Sequence, residues 1–483
     1  MNRAQACLRV LLPVVALASN ALIAQAVENR PNIVLLISDD HDYEHYGFVG
    51  NPVARTPNLD SLAERGVVFT TGHLPSSLCR PTLATLLSGR LPHQTGIYAN
   101  DFRNSNLAGG AVRLDPANSL PRLLRDSGYR TFVAGKYWEG DVREMGFTDG
   151  SAEPSFTAYL RLVREDQDGV FQFIEDVAGK QPFFVWWAPM LPHEPHVPPE
   201  RHRVRFENAS IPVPRFIPAR KRAIYRHRER RQLAMVSWLD EGVGDLVEKL
   251  KASGVYEDTL FVFLADNGWA VGRPSKGSVF EKGLRTAMLF TWSSRLEGGQ
   301  RFDRIVRTMD IYPTILSAAG VEVPRGTVGR SLLPAMLGKG GLGKTVSIGA
   351  IYPRSARVDS PSPETEIQAF FLRDGRWKFV YYLDFVGRKR SGHIVHGLSR
   401  FPDRRPGTAD LFDLEADPYE LVDLSQKTEN RARVARYQAD VLDWWEETGG
   451  RPIPRHQKRK NVQRAPIDSS DATDVHSPGR EPR

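Results

Sequence analysis

Four short runs are apolar at almost every position: NIVLLIS at residues 32–38, YRTFVAG at 129–135, FFVWWAPM at 183–190 and TLFVFLA at 259–265. A strand with one wet face alternates, so unbroken runs of this length predict strands covered on both faces, as in a parallel sheet. Between them lie segments with apolar residues at helical spacing, NLDSLAERG, SLPRLLRDSG and EGVGDLVEKLKASG, each ending in the glycine that often closes a helix. Strand and helix in alternation predict an α/β fold with a mostly parallel sheet, here an α/β/α sandwich over residues 27–350. After it the pattern changes. AFFLRDGRWKFVYYLD alternates like a hairpin and VARYQADVLDWWEET like a helix packed on it, which predicts a small α+β subdomain over 351–450. YPRSARVDSPSPETE, rich in Pro and Ser, reads as a surface connection.

The two ends differ from the body. Residues 1–26 carry Arg3 and Arg9, then an apolar stretch broken by Pro13, Ser19 and Asn20, then Ala24-Gln25-Ala26 in the small-x-small pattern of a cleavage site. This reads as a signal peptide, and the protein is expected to be secreted or periplasmic. No later segment is apolar enough to cross a membrane. Residues 451–483 are basic and nearly devoid of large apolar groups, and are expected to be disordered. The formal charge of +8 falls mostly on these ends, leaving about +2 on residues 27–450. Nucleic acid is therefore not an expected partner. The basic run RKRAIYRHRERRQ leads into an amphipathic segment and reads as the wet face of a helix. Of the two cysteines, Cys7 falls in the leader, so the mature chain has Cys79 alone and no internal disulfide.

Candidate site residues lie just beyond each apolar run. The first is succeeded by Asp39 and Asp40, the second by Lys136, the third by Pro192 and His193, and the fourth by Asp266 and Asn267. In open α/β sheets the site lies beyond the carboxyl ends of the strands, so four distant segments deliver these groups to one edge. Three carboxylates and an amide oxygen are hard ligands suited to Ca2+ or Mg2+, and adjacent Asp39 and Asp40 would repel unless a cation lay between them. In SSLCRPTLATLLSGR, Pro81 suits a first helical turn and Gly89 a helix end. Cys79 then sits at a helix N-terminus, facing a site whose hard ligands suit oxygen better than sulfur.

These blocks, in order and spacing, resemble the sulfatase family of the alkaline phosphatase superfamily. The resemblance runs through RPNIVLLISDDHDYEHYG, TPNLDSLAERGVVFTTGH, SSLCRPTLATLLSGRLPHQTG, LRDSGYRTFVAGKYWEG, PHEPHVPP, FLADNG, SKGSVFEKGLRTAM, MDIYPTILSAAGVEVPRGTVGRSLLPAM and LFDLEADPYELVDLS, nearly all of the mature chain. It implies an alkaline-phosphatase-like fold and a catalytic domain at 27–350. It also implies that Cys79 is oxidised by a formylglycine-generating enzyme to formylglycine, the nucleophile. By the same resemblance Asp39, Asp40, Cys79, Asp266 and Asn267 form the metal site, and Lys136, His193 and Lys276 contact the sulfate or the leaving oxygen. The implied reaction is hydrolysis of a sulfate ester on a sulfated carbohydrate by a sulfuric ester hydrolase. Two positions depart from the family. The signature CxPxR has Leu83 in place of its arginine, and GKYWEG has Trp138 where a GKxH histidine is usual. Arg80 either replaces the lost charge or points to solvent, and the second is expected. A phosphodiester or phosphonate hydrolase on the same scaffold, and a sulfated-glycan-binding homologue with an unconverted thiol, are the alternative readings.

The remaining candidates read as ordinary structure. His41, His45, His73, His93 and His196 are expected to be surface residues or hydrogen-bond donors, the aromatics of FFVWWAPM to be core, and Asn208 to be a sequon of no particular weight.

Overall fold

The computed structural model describes residues 30–101, 114–151, 164–355, 362–383 and 404–453. The leader, most of the basic tail and the middle of the Pro/Ser connection lie outside these residues.

Eight strands build the main sheet: β1 (Asn32–Ser38), β2 (Val67–His73), β3 (Arg130–Gly135), β4 (Asp149–Ser151), β5 (Phe183–Ala188), β6 (Thr259–Ala265), β7 (Arg285–Thr291) and β8 (Gln300–Arg307). Their order is β4-β3-β5-β1-β6-β7-β2-β8. The pairs from β4 through β6 are parallel, β7 runs against both β6 and β2, and β8 is parallel to β2. The sheet is mostly parallel, as the apolar runs predict, and all four runs lie in its centre.

One strand feeds two cores because its side chains alternate between faces. Ile33, Leu35 and Ile37 of β1 join one apolar cluster, and Val34 and Leu36 join the other. The first is covered by the helices Cys79–Ser88, Leu120–Asp126 and Ile311–Ala318, and the second by Pro57–Glu64, Asp168–Val177 and Arg222–Ala252. This is the expected α/β/α sandwich. Trp186 and Trp187, on opposite faces of β5, are fully buried core residues. The basic run opens the Arg222–Ala252 helix, where Arg222, Arg226 and Arg231 are exposed.

A second, antiparallel sheet comes next in the order β12-β11-β10-β9, from β9 (Ser347–Ile351), β10 (Ala369–Asp374), β11 (Trp377–Tyr382) and β12 (Ala409–Asp413). Its β10–β11 hairpin turns at Gly375, whose φ of 57° favours a residue without Cβ. The Arg431–Glu447 helix packs on it through Tyr437, Val441 and Trp445. The buried cluster of Glu281 with His73, Lys378 and Arg373 ties the two sheets together.

Candidate active site

Register explains why the polar groups meet. Ser38 of β1 pairs with Ala265 of β6, so the next residues, Asp39 and Asp266, emerge side by side. Gly135 of β3 likewise pairs with Ala188 of β5, which brings Lys136 to the same edge. At Gly135 φ is 89° and a Cβ would meet the Ala188 carbonyl at 2.1 Å, so only glycine lets the chain turn there. Asp40 has a φ of 56°, uncommon for a residue with a side chain. Its backbone N–H donates to Asp266 Oδ1 at 3.3 Å, and the His41 N–H to the Asn267 carbonyl at 3.1 Å. The strained turn after β1 is therefore held by the segment after β6.

Cys79 opens its helix at the N-terminus and is fully buried, and Gly89 ends that helix with a φ of 66°. One ligand atom from each of Asp39, Asp40, Cys79 and Asp266 lies within 4.8 Å of the others. Asn267 donates its amide to Asp40 Oδ1 at 2.7 Å, which leaves its own buried Oδ1 without a hydrogen-bond partner. A buried acceptor left orphaned beside three carboxylates fits a hard divalent cation.

Two ammonium groups face the same oxygens. Lys136 Nζ lies 2.7 Å from Asp39 Oδ2 and 2.9 Å from Asp266 Oδ2, and Lys276 Nζ lies 2.7 Å from Asp40 Oδ1. His193 stands at the rim, 20% exposed, with Nε2 3.4 Å from Asp40 Oδ2 and Nδ1 2.6 Å from the Glu194 carbonyl. Burial pushes the Asp39 and Asp40 carboxyls up, but Lys136 and Lys276 respectively override it and hold both below the usual range. Asp266 is pushed up to about 7 by burial and by the neighbouring Asp39. Burial, with Asp266 beside it, pushes the Cys79 thiol up to about 12. Such a thiol stays protonated at neutral pH, and a protonated thiol is a poor nucleophile. The structure thus gathers Asp39, Asp40, Cys79, Lys136, His193, Asp266, Asn267 and Lys276 in one place.

The departures have clear consequences. Leu83 is 1% exposed and belongs to the apolar core, so no charge enters from that position. The Trp138 ring lies 4.8 Å from Lys136 Nζ and offers it an aromatic face. Arg80 corrects the expectation that it points to solvent. Its side chain is 12% exposed, and its guanidinium grips Glu139 with Nε to Oε1 at 2.6 Å and Nη2 to Oε2 at 3.2 Å. A fork-to-carboxylate pair of this geometry outweighs hydration at a half-closed position.

Sequence reasoning missed three residues here. Asn100 accepts from the Arg80 backbone N–H at 3.2 Å and donates to Cys79 Sγ at 3.8 Å. Glu139 fixes Arg80, and its only signal was a carboxylate inside GKYWEG. Buried Arg164 donates to the Met190 carbonyl and, at 3.0 Å, to the His193 carbonyl, clamping the loop that carries His193. The five histidines read as ordinary structure stay outside the cluster, though several are buried instead of on the surface. His41 packs on Tyr46, His45 bonds Glu229, His73 bonds Glu281, His93 bonds Thr448 and His196 packs on Trp269. Asn208 is exposed.

Comparison with known proteins places the chain in a family. Residues 31–321 match the Sulfatase family model, and residues 272–384 match that of the N-sulphoglucosamine sulphohydrolase C-terminal region. The chain is 28% identical over 382 residues to N-acetylgalactosamine-6-sulfatase of Canis lupus familiaris, covering 67% of this chain and 69% of that one. It is 27% identical over 465 residues to arylsulfatase A of Homo sapiens, with 83% and 84% covered. It is 23% identical over 455 residues to an ulvan-active sulfatase of Formosa agariphila, with 88% and 82% covered. Among solved structures, one determined with its substrate D-glucosamine-2-N,6-O-disulfate superposes with a TM-score of 0.69 at 19% identity, covering 87% of this chain and 98% of that one. The phosphonate monoester hydrolase of Agrobacterium radiobacter superposes with a TM-score of 0.67 at 18% identity, covering 87% and 96%. That likeness is one of fold alone. By its sequence and its fold, the chain belongs to the sulfatase family of the alkaline phosphatase superfamily and is a sulfuric ester hydrolase.

Proposed function

We propose that the protein is an exported sulfatase that hydrolyses a sulfate ester of a sulfated carbohydrate, using a formylglycine formed from Cys79. The observation that carries this reading is the seat of the thiol. The Sγ lies 3.8 Å from Asp39 Oδ1, inside a carboxylate cluster faced by two lysines and a histidine. Asp39, Asp40, Asp266 and Asn267 would hold Ca2+, or Mg2+ in its place, beside residue 79. When bound, the ion withdraws electron density from the oxygens of a sulfuryl group and offsets the charge that gathers on them. A formylglycine at residue 79 would supply, as its hydrate, the oxygen nucleophile that the thiol does not.

The chain's own residues do the rest. Lys136 and Lys276 keep their protons, because burial disfavours the charge but Asp266 and Asp39, and Asp40, hold these ammonium groups above the usual lysine range. They present fixed positive charge to the sulfuryl oxygens. His193 bonds the Glu194 carbonyl through Nδ1, which turns Nε2 toward the cluster. As an imidazolium the ring carries a second proton on Nε2, placed to pass to the leaving alcohol. The leader at residues 1–26 supports export, and a formylglycine-generating enzyme is the partner that the mature protein requires. Relatives named for N-acetylgalactosamine 6-sulfate and ulvan support a carbohydrate substrate.

The test is a panel of 4-nitrocatechol sulfate, bis(4-nitrophenyl) phosphate and sulfated polysaccharides, assayed with protein coexpressed with a formylglycine-generating enzyme. Sulfate release with negligible phosphodiester cleavage supports the reading. Preferential cleavage of the phosphodiester would replace it with the phosphodiesterase alternative, and binding without turnover would replace it with a glycan-binding role.

A further inference from the structure

A cleft of about 790 Å3 opens between the loop after β1, the segment around Phe216 and the segment around Tyr419. None of Asp39, Asp40, Cys79, Lys136, Asp266 or Lys276 lines it. Its wall includes Arg273, which is only 7% exposed. The guanidinium lies over two aromatic rings, 4.8 Å from the Phe216 centroid and 5.4 Å from that of Tyr419. Among the described residues it makes no hydrogen bond or ion pair, and its Nε is buried without a partner.

None of the neighbouring carboxylates forms an ion pair with Arg273. Glu420, the nearest in electrostatic effect, accepts the Glu281 backbone N–H through Oε2 at 2.9 Å, and its buried Oε1 has no hydrogen-bond partner. Asp417 accepts the backbone N–H groups of Leu421 and Val422 at 2.6 and 2.8 Å. Glu44 and Asp42 both pair with Lys282, at 2.8 and 2.9 Å. Burial pulls the Arg273 guanidinium below its usual range, yet an arginine keeps its charge at any physiological pH. A charge this buried and this poorly paired is costly unless an anion completes it. A guanidinium fork matches the oxygens of a sulfate or carboxylate two at a time, and the aromatic rings beside it offer an apolar face to the C–H side of a sugar ring.

We propose that this cleft is a second binding site, which takes the sulfate or carboxylate of a sugar unit on Arg273 with Phe216 and Tyr419 as its platform. The sugar half of this proposal rests on the carbohydrate reading above, and the anion half does not. A catalytic site and a separate anion site on one chain would favour polyanionic chains over single sulfated sugars.

The test is calorimetric titration of the full mature chain carrying Cys79→Ala, which cannot form the nucleophile, with N-acetylglucosamine 6-sulfate, N-acetylglucosamine or sodium sulfate. We expect two binding events per chain with the sulfated sugar. Adding Arg273→Ala should remove one of them, Arg273→Lys should weaken it by roughly tenfold because the fork is lost, and Phe216→Ala should weaken the sugar more than the free anion. Sodium sulfate matching the sulfated sugar at the Arg273-dependent site would show a free-anion site and overturn the sugar half. No binding by the parent protein, or binding unchanged in a folded Arg273→Ala or Arg273→Lys variant, would overturn the whole proposal. Failure of 4-nitrocatechol sulfate turnover by converted protein would sink the hydrolase reading and leave the Arg273-dependent event untouched.

Discussion

Asn100 donates to residue 79, and its own amide oxygen accepts from the Arg80 backbone N–H. We expect Asn100→Ala to lower kcat by about 10- to 100-fold with little change in KM, and without reducing the aldehyde content at residue 79. An equal loss in both constants, or loss of the aldehyde itself, would assign Asn100 to binding or to recognition by the modifying enzyme. Lys136 carries a different expectation. It sits between Asp39 and Asp266, so Lys136→Ala leaves two buried carboxylates facing each other. Turnover should fall by about 1000-fold. The thermal midpoint should drop by several degrees in chelator and recover in calcium, because a divalent ion replaces the missing charge. A midpoint indifferent to calcium would remove these carboxylates from the metal site. Residues of this kind were only partly legible in sequence. Asp39, Asp40, Lys136 and Asp266 directly follow buried strands, whereas Asn100 and Glu139 act on partners 21 and 59 positions away. No local pattern encodes such a pairing.

At the scale of elements, β2 shows what one strand end can carry. His73, at its terminus, is fully buried and bonds Glu281 Oε1 at 2.9 Å, while Lys378 of β11 and Arg373 of β10 take up the same carboxylate at 3.0 and 3.2 Å. Burial pulls the imidazole down to about 4; Glu281 opposes this, but its charge is already offset by the two cations. The folded protein thus binds this proton less readily than the unfolded chain, whose histidine titrates near 6.5. The resulting stability is complete above pH 6.5 and is lost as pH falls toward 4. Between pH 7.5 and pH 5 the change is on the order of 2 kcal/mol. Chemical denaturation at the two pH values should show a smaller loss in His73→Gln than in the parent, and equal losses would exclude His73 as the source. The central strands were readable because both their faces are buried and the apolar run is unbroken. Edge strand β8, QRFDRIVR, was not, since its outer positions are charged and exposed. The antiparallel setting of β7 was also hidden, because strand order arises from long-range pairing that no short window contains.

For the whole molecule, a mostly parallel sheet, whose strand ends assemble the cluster, is joined to a smaller sheet tied on through Glu281. Among the described residues no helix is long and apolar enough to cross a membrane. The alternation of apolar runs and helical segments made the α/β fold legible, and the family resemblance assigned roles in the main cluster. The cleft at Arg273 escaped because Phe216 and Tyr419 meet that arginine only in the folded chain. The central claim is that residue 79, once converted, does the chemistry. Its most direct test is the rate of 4-nitrocatechol sulfate hydrolysis measured on preparations whose aldehyde content at residue 79 has been counted by peptide mass spectrometry, with Cys79→Ala alongside. The account predicts a rate proportional to the aldehyde fraction and a loss of at least about 1000-fold in Cys79→Ala. A rate independent of that fraction, or undiminished in Cys79→Ala, would contradict it.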